Sequence, residues 1–299
     1  MDVRDSFYPL RDNMPDNFTI RPLTYAEMSI PLSWAAREGW NPGLDDADPF
    51  WHSDPESFFG GFIGDNPAAV ISAVRYGDHF GFLGFYIVAP DYRGQGYGYR
   101  IWQHALRRLH GRNIGLDGVV AQQGNYRKSG FTSAHRNVRY QGSTALPATQ
   151  TGAGSALARP LGQIPFETLA TYDRRFFPAD RTTFLSRWVV QPHAHALGIT
   201  HGDMLTGYGV IRQCQSGFKI APLFADNVGE AEALLRAMAS HAPAGQPLFL
   251  DVPACNLAAA SLAERMQMTA VFETIRMYTG PEPDVSVLRT YGLTSFEIG

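Results

Sequence analysis

The stretch Tyr86-Ile87-Val88-Ala89-Pro90-Asp91-Tyr92-Arg93-Gly94-Gln95-Gly96-Tyr97-Gly98 decides how this chain is read. The apolar, aromatic run from Phe80 to Val88 predicts a buried strand, and Pro90 ends it. A helix from about Gly96 to His110 follows, with Ile101, Ala105, Leu106 and Leu109 on one face. Glycines let backbone N–H groups approach a ligand without a Cβ in the way. The start of a helix adds unsatisfied donors and a partial positive charge, and Arg93 adds a full one. The turn reads as a cradle for phosphate oxygens, or as a bare Gly-rich strand-to-helix turn. The spacing Gly94-x-Gly96-x-Gly98 does not match the dinucleotide fingerprint, and the Gly-Lys-Ser/Thr of a nucleoside-triphosphate loop is missing.

Working outward, Phe18 to Leu23 alternates like a strand. Thr24 can cap a helix from Tyr25 to Glu38, with Glu27 in the capping-box position. Gly39 to Ser57 reads as a long loop rich in aromatic and acidic residues. Phe58–Ile63 and Ala68–Arg75 form a hairpin about Gly64-Asp65-Asn66-Pro67. Gly118–Ala121 and Phe131–Tyr140 are further strands, and Gln141 to Gln163 has a linker's composition. The second half repeats the order: helices at Pro165–Asp173 and Asp180–Val190, then strands at Ala194–His201, Met204–Gln213 and Gly217–Leu223. A helix Asn227–His241, a strand Pro247–Val252, a helix Leu257–Met266 and a strand Ala270–Tyr278 complete it. This suggests a degenerate duplication.

The chain has 299 residues, 44% of them hydrophobic, and a formal charge of −3. The near balance argues against bulk electrostatic binding of nucleic acid, although Arg93, Arg100, Arg107, Arg108 and Arg112 fall close together. Cys214 and Cys255 form no metal-type pair and imply no disulfide framework. No run of about 18 apolar residues suggests a membrane span, and Met1 to Asn17 has no secretory h-region. The expectation is a soluble, cytoplasmic protein with no membrane partner.

Strand-x-Pro-x-Tyr-Arg-Gly-x-Gly-x-Gly-helix resembles motif A of the GCN5-related N-acetyltransferase superfamily. The resemblance implies that the backbone of Tyr86, Ile87 and Val88 meets the pantetheine arm of acetyl-CoA. Arg93, Gly94, Gln95, Gly96, Tyr97 and Gly98 would hold its pyrophosphate. Tyr126-Arg127-Lys128-Ser129-Gly130-Phe131 resembles the family's Tyr-x-x-x-Gly-Phe segment, which implies that Tyr126 protonates the departing thiolate. Two features depart from the pattern. Val119 stands where an Asn is usual, with Gln122 or Asn125 as substitutes. The strand before the loop lacks the common Glu base, and its polar flank offers only Asp78 and His79.

Gly207–Arg212, Lys219–Asp226, Leu250–Pro253 and Phe272–Tyr278 resemble the two-domain type with a C-terminal YitH/HolE-like acetyltransferase domain. The implied fold class is α+β: tandem domains, each a mostly antiparallel twisted sheet flanked by helices. An acyl-CoA-binding domain would span 1–141, a linker 142–163 and a degenerate domain shaping the acceptor pocket 164–299. The second half's Asp226-Asn227-Val228-Gly229-Glu230 has acids where a pyrophosphate would sit, so CoA binding is expected in the first half alone. Asp251 and Glu273 lie amid apolar residues, either in ion pairs with Arg212 or Arg276 or as bases at the cleft. Trp40, Asp45, Asp46 and Trp51 suit either an amine-binding lid or a packed surface loop. His193 and His195 alone do not make a metal site. The expected activity is direct, metal-free acetyl transfer from acetyl-CoA to a primary amine of a small molecule. Tyr126 is the acid, and His79, Asp251 or Glu273 the candidate bases. The alternative is a CoA-binding sensor or scaffold without turnover. A homodimer stays open.

Overall fold

A computed structural model describes residues 17–148 and 158–299. Residues 1–16, read above for a secretory signal, and 149–157 of the linker lie outside them. Strand β1 (Phe18–Pro22) leads through a 3-10 turn into α1 (Ser29–Arg37). Glu27 makes the expected capping contact: its carboxylate accepts from the Thr24 backbone N–H at 2.8 Å and also holds Arg21. The 39–57 segment is not all loop. It contains α2 (Ala47–Ser53), whose Phe50 stacks on Trp188 from the second half at 5.8 Å. A tertiary contact stabilises a helix that the sequence, broken by Pro49 and four acids from Asp45 to Asp54, does not announce.

The remaining elements of the first half are β2 (Phe58–Ile63), β3 (Asn66–Tyr76), β4 (Phe80–Val88), α3 (Tyr97–Arg108), β5 (Asn113–Val119), α4 (Gln123–Lys128) and β6 (Thr132–Ser143). The second half has β7 (Arg159–Pro160), α5 (Phe166–Asp173), α6 (Thr182–Trp188), β8 (Ala194–His201), β9 (Met204–Gln213) and β10 (Phe218–Ala225). Then come α7 (Val228–Ala239), β11 (Pro247–Pro253), α8 (Leu257–Arg265), β12 (Thr269–Tyr278) and β13 (Thr290–Gly292).

Among the described residues all the strands join in one sheet, in the order β1-β2-β3-β4-β5-β12-β6-β11-β10-β9-β8-β7, with β13 beside β10. The strand exchange at its centre was not foreseen from the sequence. β12, from the second half, lies between β5 and β6 of the first. β6 in turn pairs with β11 of the second half. The sheet therefore does not divide where the chain does.

Alternation along the strands builds a layer on each face. On one face Val70, Val74, Phe82 and Phe85 of the first half meet Trp188, Tyr208 and Phe224 of the second in a common core. Ala69, Ile71, Ala73 and Leu83 point the other way, onto Ile101, Trp102 and Ala105 of α3. In the second half Ile211, Ile220 and Leu250 pack with Leu234, Met238 and Leu262 of α7 and α8. After β13 the segment Leu293–Gly299 crosses back to the first half. Ser72 donates to the Glu297 carbonyl at 3.2 Å and Tyr76 to that of Ile298 at 2.8 Å.

Candidate active site

The site begins with a defect in β4. Phe85 has φ 46°, uncommon for a bulky residue, and the β3–β4 register shifts between Val70 and Ser72. This bulge splits the sheet. β4 and β5 run parallel from Phe80↔Asn113 to Leu83↔Leu116, and there the pairing stops. β5 stays with β12, where Val119 faces Thr274. β4 stays with β3, where Ile87 faces Val70. A wedge opens between Gly84–Val88 and Asp117–Val119, where among the described residues no strand pairs with Tyr86–Val88 on that side. The wedge is part of a cavity of about 340 Å³.

At its mouth, Gly94 (φ 73°) and Gly96 (φ 85°) adopt left-handed conformations that a Cβ would strain. Gly96 precedes α3, and no side chain caps that helix, so its first N–H groups face the turn. Gln95 folds back onto the Asp91 carbonyl at 2.7 Å, while Tyr97 is buried against Phe18 at 4.8 Å. The Arg93 guanidinium is committed to protein: it donates to the Val88 carbonyl at 2.9 Å and to Glu38 at 2.6 Å. It braces the loop against α1.

Tyr126 lines the cavity with its ring 5.5 Å from Trp102. Burial raises its pKa above the ordinary phenol value, so it stays protonated at neutral pH. Gln122 lines the same wall, and its amide oxygen accepts from Asn125 at 2.6 Å. Thus Gln122, of the two substitutes for the usual Asn, reaches the cavity. Trp40 lines it as well.

The other acceptor-side residues are not gathered there. His79 is an exposed turn residue before Phe80, at the end of β4 away from the bulge, and does not line the cavity. Asp251 is buried in a two-pronged pair with Arg139, at 2.6 and 2.8 Å, rather than with Arg212 or Arg276. Burial pushes its pKa up, but Arg139 outweighs that and holds it below the ordinary carboxylate value. Glu273 is partly exposed and bound to Arg136. Asp45 is tied to His193, contacting both its backbone N–H and its ring at 2.9 Å. Asp46 is buried against Arg212 at 2.9 Å, and Trp51 packs edge-on to Tyr25. His195 stacks on His241 at 4.4 Å. These residues hold the fold, and none of them lines the cavity.

The sequence reading missed the far wall. It is made of Phe272 and Thr274 on β12, and of Phe296 and Glu297. No local pattern marks these residues. They reach the first half only through the strand exchange and the crossing of residues 293–299.

A model of the acetyltransferase (GNAT) family fits residues 25–131, and a model of the acetyltransferase (GNAT) domain fits residues 169–292. The chain belongs to the GCN5-related N-acetyltransferase superfamily, in its two-domain form, and is an acyltransferase. It is 30% identical to Holothin acyltransferase of Pseudoalteromonas sp. (strain SANK 73390) over 295 residues, covering 99% of this chain and 98% of that protein. Its fold is that of a putative acetyltransferase from Pyrococcus horikoshii, with TM-score 0.80, 20% identity, and 98% and 100% of the two chains covered. A tandem GNAT protein from the clavulanic acid biosynthesis pathway shares the fold with TM-score 0.61 and 14% identity, over 89% and 99% of the chains. Among the described residues no helix is long and apolar enough to cross a membrane.

Proposed function

We propose that the protein moves an acetyl group from acetyl-CoA directly to a primary amine of a small molecule. The observation that carries this reading is the wedge beside β4. An open strand edge, an uncapped helix start with two left-handed glycines and a buried phenol occur in the order a thioester-bearing pantetheine arm needs. The backbone of Tyr86–Val88 would bond the arm. The N–H groups of Gly94–Gly98 would hold the pyrophosphate, and Tyr126 would give its proton to sulfur. Likeness to a protein named for acylating holothin supports a small-molecule acceptor.

The donor is assigned to the first half. In the second half the matching helix α7 is closed: Asn227 caps it by accepting from the Glu230 N–H at 3.0 Å, and Glu230 pairs with His201. A phosphate would have to displace that cap and sit among carboxylates. Residues 1–141 therefore act as the donor unit and 164–299 as the unit that shapes the acceptor side, with 142–163 between them.

Titration calorimetry with acetyl-CoA tests the assignment. Wild type is expected to bind with one site per chain. Gly96→Glu, which puts a carboxylate and a strained Cβ into the cradle, is expected to abolish binding without unfolding the protein. Equal affinity in the two proteins, or binding by neither, would refute the cradle.

A further inference from the structure

Three carboxylates line the cavity: Glu38, Asp117 and Glu297. Glu38 is neutralised by Arg93 at 2.6 Å, and Asp117 by Arg276 at 2.7 Å. Among the described residues Glu297 has no cation within salt-bridge distance, although it is only 4% exposed. Its Oε2 accepts from the Ser295 hydroxyl at 2.7 Å. The buried guanidiniums of Arg139 and Arg212 act on its charge from beyond salt-bridge distance, which leaves room for a cation in direct contact.

Its position is keyed, not incidental. Gly84 stands at the start of the bulge, and a Cβ there would lie 1.9 Å from the Glu297 carbonyl oxygen. The missing side chain of β4 is the slot into which Glu297 is laid. The Ser295 hydroxyl, which accepts from the N–H groups of Glu297 and Ile298 at 2.9 and 3.3 Å, sets the turn that aims the carboxylate. The surrounding wall is aromatic and fixed. Arg139 donates to the Trp40 carbonyl at 2.7 Å, and its guanidinium lies 5.2 Å from the ring of Phe296 and 5.8 Å from that of Phe272. Thr274, 2% exposed, contributes a hydroxyl with no partner among the described residues.

We propose that Glu297 is the acceptor-binding carboxylate and the base of this active site, and that the acceptor is an amine carried on a flat, apolar body. The body lies against Trp40, Phe272 and Phe296, the ammonium meets Oε1 of Glu297, and the Thr274 hydroxyl bonds a polar atom of the acceptor. The proposal rests on the acyl-transfer reading above. Glu297 takes one proton from the ammonium. The freed nitrogen pair forms the N–C bond to the thioester carbon as the C–S bond breaks with its electrons on sulfur. Tyr126 gives its proton to that sulfur and is restored by the second proton leaving nitrogen. Glu297 then returns its proton to solvent.

The test uses the full chain, acetyl-CoA and tryptamine as the probe amine. In wild type, tryptamine is expected to bind by calorimetry and to release CoA thiol. Glu297→Gln keeps the shape and the Ser295 contact. It is expected to weaken tryptamine binding by at least tenfold and to lower kcat by about 10²–10⁴-fold, the usual worth of a positioned base. Its acetyl-CoA affinity and melting temperature should match wild type, and Glu297→Asp should recover part of the rate. Tryptamine binding that is absent in wild type, or unchanged in Glu297→Gln, would overturn the proposal while leaving the donor reading intact. Loss of acetyl-CoA binding by wild type would instead overturn the donor reading.

Discussion

Tyr126→Phe is expected to lower kcat by about 10²–10⁴-fold while leaving the affinity for acetyl-CoA unchanged, because the variant removes a proton donor and no binding surface. The ring is held between Gly118 and Trp102, so Phe keeps the packing: a Cβ added at Gly118 would come within 2.3 Å of the Tyr126 ring. The ring can lie there only because residue 118 has no side chain. Burial raises the phenol pKa from its ordinary 10.0, so the acid form persists through the neutral and mildly alkaline range. The sign matters for the pH profile. An acid loses activity as pH rises through its pKa, so any alkaline fall caused by Tyr126 must lie above pH 10. Steady-state thiol release and calorimetry on the same variant give the two readouts. A Phe variant with wild-type kcat would remove Tyr126 from the chemistry.

Asp251→Asn is expected to cost about 3–5 kcal/mol of stability, because it strands a buried guanidinium. Arg139 and Asp251 have side chains 3% and 4% exposed, and two short hydrogen bonds join them across the β6–β11 pair. Lys219, buried next to them, has a pKa lowered first by burial and then by Arg139, and as a further cation it adds to the charge that Asp251 offsets. The pH dependence follows from the depressed Asp251 pKa. The stabilisation is complete above the ordinary carboxylate value of 3.8 and is lost as pH falls through the lower folded value, where wild type and variant converge. Urea unfolding at pH 7 measures the full difference, and unfolding at successive pH values below 3.8 follows its decline. The double variant Arg139→Met with Asp251→Leu is expected to recover most of the loss. If it were no better than either single change, the coupling would be refuted. Because Arg139 also seats Trp40, Phe272 and Phe296, the single variants should weaken acceptor binding more than donor binding.

The strand, turn and helix proposed to hold the donor were legible in the sequence because they are local. Strand, proline, glycines and helix follow one another within residues 80–110, and each step has its own residue chemistry. Most strands and helices of both halves were legible for the same reason. The bulge was not, since its left-handed residue is Phe85 and not a glycine. Nor was α2, which depends on Trp188. The acceptor side was misplaced for a sharper reason. Asp251 and Glu273 stand out in the sequence as acids in apolar strands, yet such acids stand out because they need arginines, and each has found one. Glu297, which has no salt bridge among the described residues, sits in Ser295-Phe296-Glu297-Ile298-Gly299, a run with no period and no motif. Only the crossing onto Gly84 gives it a site.

The exchange of β6 and β12 has a consequence for the chain as an inherited object. A duplicated domain can ordinarily be lost, borrowed or shuffled as a cassette. Here a cut anywhere between residues 143 and 159 would leave each piece with an orphan strand and an unfilled gap: β5 would face water where β12 had lain, and β11 where β6 had lain. Bare edges of that kind recruit foreign strands. The second half therefore supplies more than a wall of the cavity. It also supplies the strand between β5 and β6, so neither half can be removed without baring an edge of the other.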